Sequence, residues 1–171
     1  MRISNKIDFS AAEAMRAGLA ALAVILTAAT AQAGELRGRV VAVTDGDTLT
    51  ILDANRQRHR IRLAGVDAPE KRQPYGQRSK RSLSDLCYGR DAVIEDNGRD
   101  RYGRTIGRVR CAGIDANAEQ VRRGMAWVFD RYATDRGLYT IQAEAKAARR
   151  GLWADPSPIE PLVWRRQYAA Q

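Results

Sequence analysis

The sequence is poor in the residues that most enzymes use for nucleophilic or transition-metal chemistry: one histidine, His59, and two cysteines, Cys87 and Cys111, among 171 residues. It holds no HExxH helix, CxxC pair, GxSxG elbow or Walker loop, which excludes zincins, zinc ribbons, α/β-hydrolases and P-loop enzymes. His59 falls on the apolar side of a strand pattern and reads as a packed structural residue. A catalytic triad or an imidazole-ligated centre therefore has no basis. Internal repeats and interdomain linkers are also missing, and the length is that of one compact domain with extensions. Acids are in deficit: 20 Asp and Glu against 29 Lys and Arg leave +9 and a pI near 10.1. Such a surplus favours polyanions, either nucleic acid or an anionic membrane surface. With 44% hydrophobic and 29% charged residues, the composition suits a folded core rather than disorder.

A long apolar run occurs once. From Ala17 to Ala33 the chain carries no charge, Arg16 precedes the run, and Ala31-Gln32-Ala33 has the small-x-small form that signal peptidase reads. The run is too short for a comfortable membrane span. Residues 1–33 are expected to be a signal peptide cleaved between Ala33 and Gly34, with an uncleaved anchor as the alternative. Asp8 and Glu13 are out of character for the start of a signal, and a start at Met15 would give a conventional one. Export would take the mature chain to the periplasm or the medium. There Cys87 and Cys111 are expected to form a disulfide closing a loop of about 24 residues, worth about 3 kcal/mol; two buried free thiols are the alternative. No histidine lies near either in sequence to activate a catalytic thiol.

The remaining pattern is strand-like first and helical later. Leu36–Thr44 and Thr48–Leu52 flank the turn Asp45-Gly46-Asp47, and Arg58–Leu63 follows a second turn at Asp53-Ala54-Asn55. In that third strand His59, Ile61 and Leu63 share one face and Arg58, Arg60 and Arg62 the other. Tyr75–Leu86 can be helical, Ala92–Glu95 and Thr105–Cys111 read as strands, and Asp115 or Asn117 can cap a helix to Arg123. Leu138–Arg150 predicts a further helix ended by Gly151. Three prolines follow Asp155 within six residues, so the tail 156–171 is expected to be irregular. Five strands and about three helices predict an α+β domain over 34–155 whose strands close into a small OB-like barrel.

Three motifs carry the chemistry: Asp45-Gly46-Asp47-Thr48, Ile61 to Glu70 (IRLAGVDAPE), and Asp100 to Arg104 (DRYGR). Each alone is an ordinary turn or strand end. Together they supply hard carboxylates suited to calcium or magnesium and two separated arginines suited to a phosphate. They also supply an acid able to act on a water. That is the inventory of phosphodiester hydrolysis.

This set, with VRRGMAW (Val121 to Trp127) and AEAKAARRGLW (Ala143 to Trp153), resembles the thermonuclease or staphylococcal-nuclease-like family over about Arg37 to Trp153. The resemblance implies an OB-fold barrel, one calcium ion, and hydrolysis of DNA or RNA to 3'-phosphate ends. It implies Arg62, Glu70 and Arg104 as the catalytic groups and Asp47, Asp67 and the Ala68 carbonyl as metal ligands, with Asp45 supporting them. Ala68 stands where the family often has Thr, a change that a backbone ligand tolerates. Lys71, Arg72, Tyr102 and Tyr132 are expected to contact substrate. A monomer with no stable protein partner is expected. A noncatalytic OB-fold module that binds nucleic acid or protein is the alternative, since some relatives keep the fold and lose the chemistry.

Overall fold

The computed structural model describes residues 35–168. The expected signal peptide and its cleavage point lie outside the described residues. No helix of the described residues is long and apolar enough to cross a membrane.

The expected meander forms from β1 (Glu35–Val43), β2 (Thr48–Leu52) and β3 (Arg58–Leu63). β1 and β2 pair antiparallel with a register shift between Val40 and Ala42, and β2 pairs antiparallel with β3, setting Thr48 opposite Arg62. After the short β4 (Val66–Asp67) comes α1 (Gly76–Cys87), then β5 (Asp91–Arg99), β6 (Thr105–Cys111) and β7 (Ile114–Asp115). The order β3-β2-β1-β5-β6 closes on itself because β3 and β6 also pair, in parallel, over Ile61–Leu63 and Thr105–Gly107. The result is a closed five-stranded mixed barrel, an α+β OB-fold.

α2 (Ala116–Arg122) begins where the Asp115 carboxylate accepts from the Ala118 amide, which satisfies one of the free N–H groups of the first turn. β8 (Trp127–Val128) pairs with β4, and α3 (Gly137–Ala147) packs beside α2. α3 ends short of the expected Arg150, because Arg149 and Gly151 both take positive φ, breaking the helix into a 3₁₀ turn at Gly151–Ala154. The tail departs further from expectation. Pro161–Tyr168 is a fourth helix, α4, not irregular chain. Proline at a first helical turn gives up only an N–H that has no partner there, so Pro161 starts this helix instead of blocking it.

The barrel fills with Leu49, Ile51, Ile61, Leu63, Ile94 and Val109, and the helices add Leu83, Leu86, Val121 and Leu138. Each such side chain contributes about 1.5–3 kcal/mol on burial. Cys87 at the end of α1 is bonded to Cys111 at the end of β6. His59 stays structural, with Nε2 2.8 Å from the Asp53 carboxylate.

Candidate active site

The closure of the barrel assembles the site. Alternation on β3 turns Ile61 and Leu63 inward and Arg62 outward. Pairing with β6 then brings the DRYGR turn, which precedes β6, next to Arg62. The Arg62 guanidinium donates through Nη1 to Asp47 at 2.7 Å, and through Nη2 to Asp67 at 3.1 Å and the Val66 carbonyl at 3.2 Å. Asp47 and Asp67 are 4% and 3% exposed, so two buried carboxylates share one arginine. Burial works against the Arg62 charge, and the attraction of Asp47 and then Asp67 outweighs it, so its pKa lies above the usual arginine value.

The network runs on in both directions. Asp47 Oδ1 accepts from the Thr48 hydroxyl at 2.9 Å, and Thr48 Oγ1 accepts from Arg104 Nη1 at 3.4 Å. Asp100 receives Arg104 Nε at 2.7 Å and the Arg104 and Tyr102 amides. Burial raises the Asp100 pKa, but these bonds more than reverse it and hold the carboxyl below its ordinary value. On the other side Arg165, from α4, donates to both oxygens of Asp67 and to Glu70 Oε1. Arg62, Glu70, Arg104, Asp47 and Asp67 therefore belong to one continuous set of hydrogen bonds.

Backbone and buried amides hold this set in place. The Ala68 amide donates to Asp47 Oδ2 at 3.1 Å. Gln120 Nε2 donates to the Gly46 carbonyl at 2.7 Å, bracing the Asp45–Asp47 turn from α2. Asn117 Nδ2 donates to the Ala64 carbonyl at 2.8 Å while its Oδ1 accepts from the Val109 amide. Gly76 lets α1 start against the Glu70 carbonyl, where a Cβ would overlap that oxygen.

Asp45 stands apart from the guanidinium groups. Burial first, and the neighbouring Asp47 second, push its carboxyl up to about 7. Among the described residues no three His, Cys, Asp or Glu side chains converge as a ready metal shell. Asp47, Asp67 and the Ala68 carbonyl are nevertheless hard oxygen donors of the kind a calcium or magnesium ion takes, with water completing the shell. The donor set fits such a cation.

The expected substrate contacts are less tightly gathered. Lys71 and Arg72 are exposed directly after Glu70. Tyr102 is 66% exposed, with the Arg104 guanidinium 5.5 Å from its ring. Tyr132 packs edge-on against Phe129 on the loop after β8. Arg165 and Gln120 lie outside every motif, Thr48 ends the first motif with no role assigned to it, and Asn117 stood only as a possible helix cap. Only the carboxylate set at the site signalled that another cation had to face it.

The barrel is an OB-fold, and the comparisons with known proteins define its class as a phosphodiester hydrolase. The family model described as staphylococcal nuclease homologue matches residues 60–155. The chain is 46% identical over 129 residues to an uncharacterized endonuclease of Haemophilus influenzae, covering 75% of this chain and 72% of that protein. It is 43% identical over 134 residues to an uncharacterized endonuclease of Escherichia coli O157:H7, covering 78% and 87%. To a micrococcal nuclease of Shigella flexneri it is 40% identical over 168 residues, covering 89% and 96%. The chain belongs to the staphylococcal nuclease family and is an enzyme whose substrates are nucleic acids.

Proposed function

We propose that the protein is an exported, divalent-cation-dependent nuclease, with calcium as the resident ion, that cuts DNA and RNA to 3'-phosphate ends. The observation that carries this reading is the hydrogen-bonded set joining Arg62 and Arg104 to Asp47, Asp67 and Glu70. A module that only binds has no need of all five groups together.

Arg62 is anchored at both terminal nitrogens and keeps N–H groups free for a phosphate oxygen. Arg104, tied down through Nε by Asp100, presents its outer nitrogens from the neighbouring strand. Two preorganised guanidinium groups offset charge that grows on the phosphate oxygens as water attacks, at little reorganisation cost. Glu70 is 42% exposed at its side chain and orients the water or takes its proton. Asp47, Asp67 and the Ala68 carbonyl would hold the cation, which would supply Lewis-acid polarisation of the phosphate. Lys71 and Arg72 hold the flanking polymer by counterion release, without reading sequence. The signal-like residues 1–33 and the Cys87–Cys111 bond support export to the periplasm or medium.

The test is digestion of single- and double-stranded DNA and RNA by the purified protein with calcium, with magnesium and with chelator. Glu70→Gln and Arg104→Ala serve as controls. Cation-dependent cleavage lost in both variants is expected; activity that persists in chelator or survives both substitutions sinks the mechanism.

A further inference from the structure

Arg165 is the one guanidinium of the site that no motif marks. It lies on α4 and reaches Glu70 and Asp67 across 95 and 98 residues. Nη2 donates to Asp67 Oδ2 at 2.7 Å, while Nη1 donates to Glu70 Oε1 at 2.7 Å and to Asp67 Oδ1 at 3.2 Å. One planar group thus spans both carboxylates and sets their separation. A lysine ammonium, a point donor on a flexible stem, lacks that fork. Burial works against the Arg165 charge, and the bonds to Asp67 and Glu70 outweigh it.

Glu70 depends on this contact more than Asp67 does. Asp67 is buried and also held by Arg62. Among the described residues Arg165 is the only group that hydrogen-bonds the Glu70 carboxylate, and it takes Oε1 alone. Without it the side-chain torsions of a partly exposed glutamate are unrestrained. The backbones beneath are coupled as well. Gln73 accepts from the Glu70 amide at 3.0 Å through Oε1, and its Nε2 donates to the Ile159 carbonyl at 2.7 Å, just ahead of α4. The tail and the Glu70 turn are therefore clamped twice, main chain through Gln73 and side chain through Arg165. α4 has little else to hold it, since Pro161 is its one buried residue.

We propose that Arg165 is a positioning residue: it fixes the Glu70 carboxylate relative to Asp67, leaves Oε2 for the attacking water, and makes the C-terminal helix part of the catalytic apparatus. The inference rests on the role given to Glu70 above. A base must sit within hydrogen-bond reach of its water, and small misplacements cost rate steeply.

The test uses the full-length chain as wild type, Arg165→Ala, Arg165→Gln and Arg165→Lys, each with Glu70 intact and with Glu70→Gln. Single-turnover kcat, KM, melting temperature and divalent-cation affinity by calorimetry are measured. Arg165→Ala is expected to lower kcat about 10- to 100-fold with KM moved less than about 3-fold. Lys should recover only a minor part, and on the residual rate of the Glu70→Gln chain, followed with enzyme in excess, the Arg165 substitutions should have little further effect. Should the Ala variant fail to fold, Gln, which keeps the stem and a donor, reads the same effect. A rise in kcat or in cation affinity would make Arg165 a competing counter-ion, and an equal loss in the Glu70→Gln background would make it merely structural. Either overturns the inference. Arg165 variants equal to wild type while Glu70→Gln is inactive defeat this inference alone. An inactive wild type, or a Glu70→Gln chain as active as wild type, defeats the nuclease mechanism and this inference with it.

Discussion

Arg104 Nη1 lies 3.4 Å from Thr48 Oγ1, a contact across 56 residues made by the parallel pairing of β3 with β6. The same hydroxyl donates to Asp47, so the DRYGR turn is physically continuous with the carboxylates opposite. Because Asp100 holds Nε, the guanidinium is aimed before any substrate arrives.

Arg104→Ala is expected to lower kcat/KM by about 10²–10³-fold, the usual cost of losing one preorganised charge donor. Arg104→Lys should recover little, since an ammonium cannot donate to Asp100 and a phosphate in one plane. Steady-state kinetics on single-stranded DNA decides this; full activity of the Lys variant would contradict it.

Arg62→Gln should damage stability as well as rate. It leaves Asp47, 4% exposed, without a cation and Asp67, 3% exposed, to Arg165 alone, and removing one partner of a buried ion pair costs about 3–5 kcal/mol. Urea unfolding in chelator should show that loss, and added calcium should restore part of it by binding the folded state. Glu70→Gln, at a 42% exposed side chain, should leave the unfolding midpoint nearly unchanged.

Asp45 makes stability pH-dependent in a defined direction. Burial, then Asp47, raise its carboxyl from 3.8 to about 7 in the folded chain, so folding favours its protonated form. The Asp45 contribution to stability in chelator should be fullest below about pH 4 and be lost as pH rises toward 7. Asp45→Asn, neutral at every pH, should be more stable than wild type at pH 8 by on the order of 1–3 kcal/mol. Melting curves at pH 4, 6 and 8 measure the gap, which must shrink toward acid; a gap that widens there would refute the assignment.

The Cys87–Cys111 bond closes a loop of 24 residues. Its reduction, or the double Ser variant, is expected to cost about 3 kcal/mol, read as a lower urea midpoint. The bond ties α1 to the end of β6, away from the site residues, so kcat of the folded fraction should be unchanged.

Gly76→Ala should reduce both stability and activity, because a Cβ there meets the Glu70 carbonyl. The main chain must shift, and Glu70 is the residue it moves. Thermal melting and kcat measured together check this, and an Ala variant matching wild type in both would show that the turn has room.

Much of this protein is legible along the chain. Alternation in Arg58–Leu63 fixes which side chains enter the core and which, Arg62 among them, face out. Turn residues at Asp45–Asp47 and Asp53–Asn55 place the hairpins, and the motifs name the residues that the barrel gathers. These are local properties, set by side-chain period and backbone preference. What only the tertiary structure decided involves distant partners. The β3–β6 closure brings Arg104 to Thr48, Gln120 braces Gly46, and Arg165 reaches Asp67 and Glu70 from a tail whose prolines suggested no helix. Those contacts arise because two buried carboxylates and an exposed glutamate need cations and donors. Which residue across a hundred positions supplies them depends on where the folded chain returns, and no local pattern encodes that.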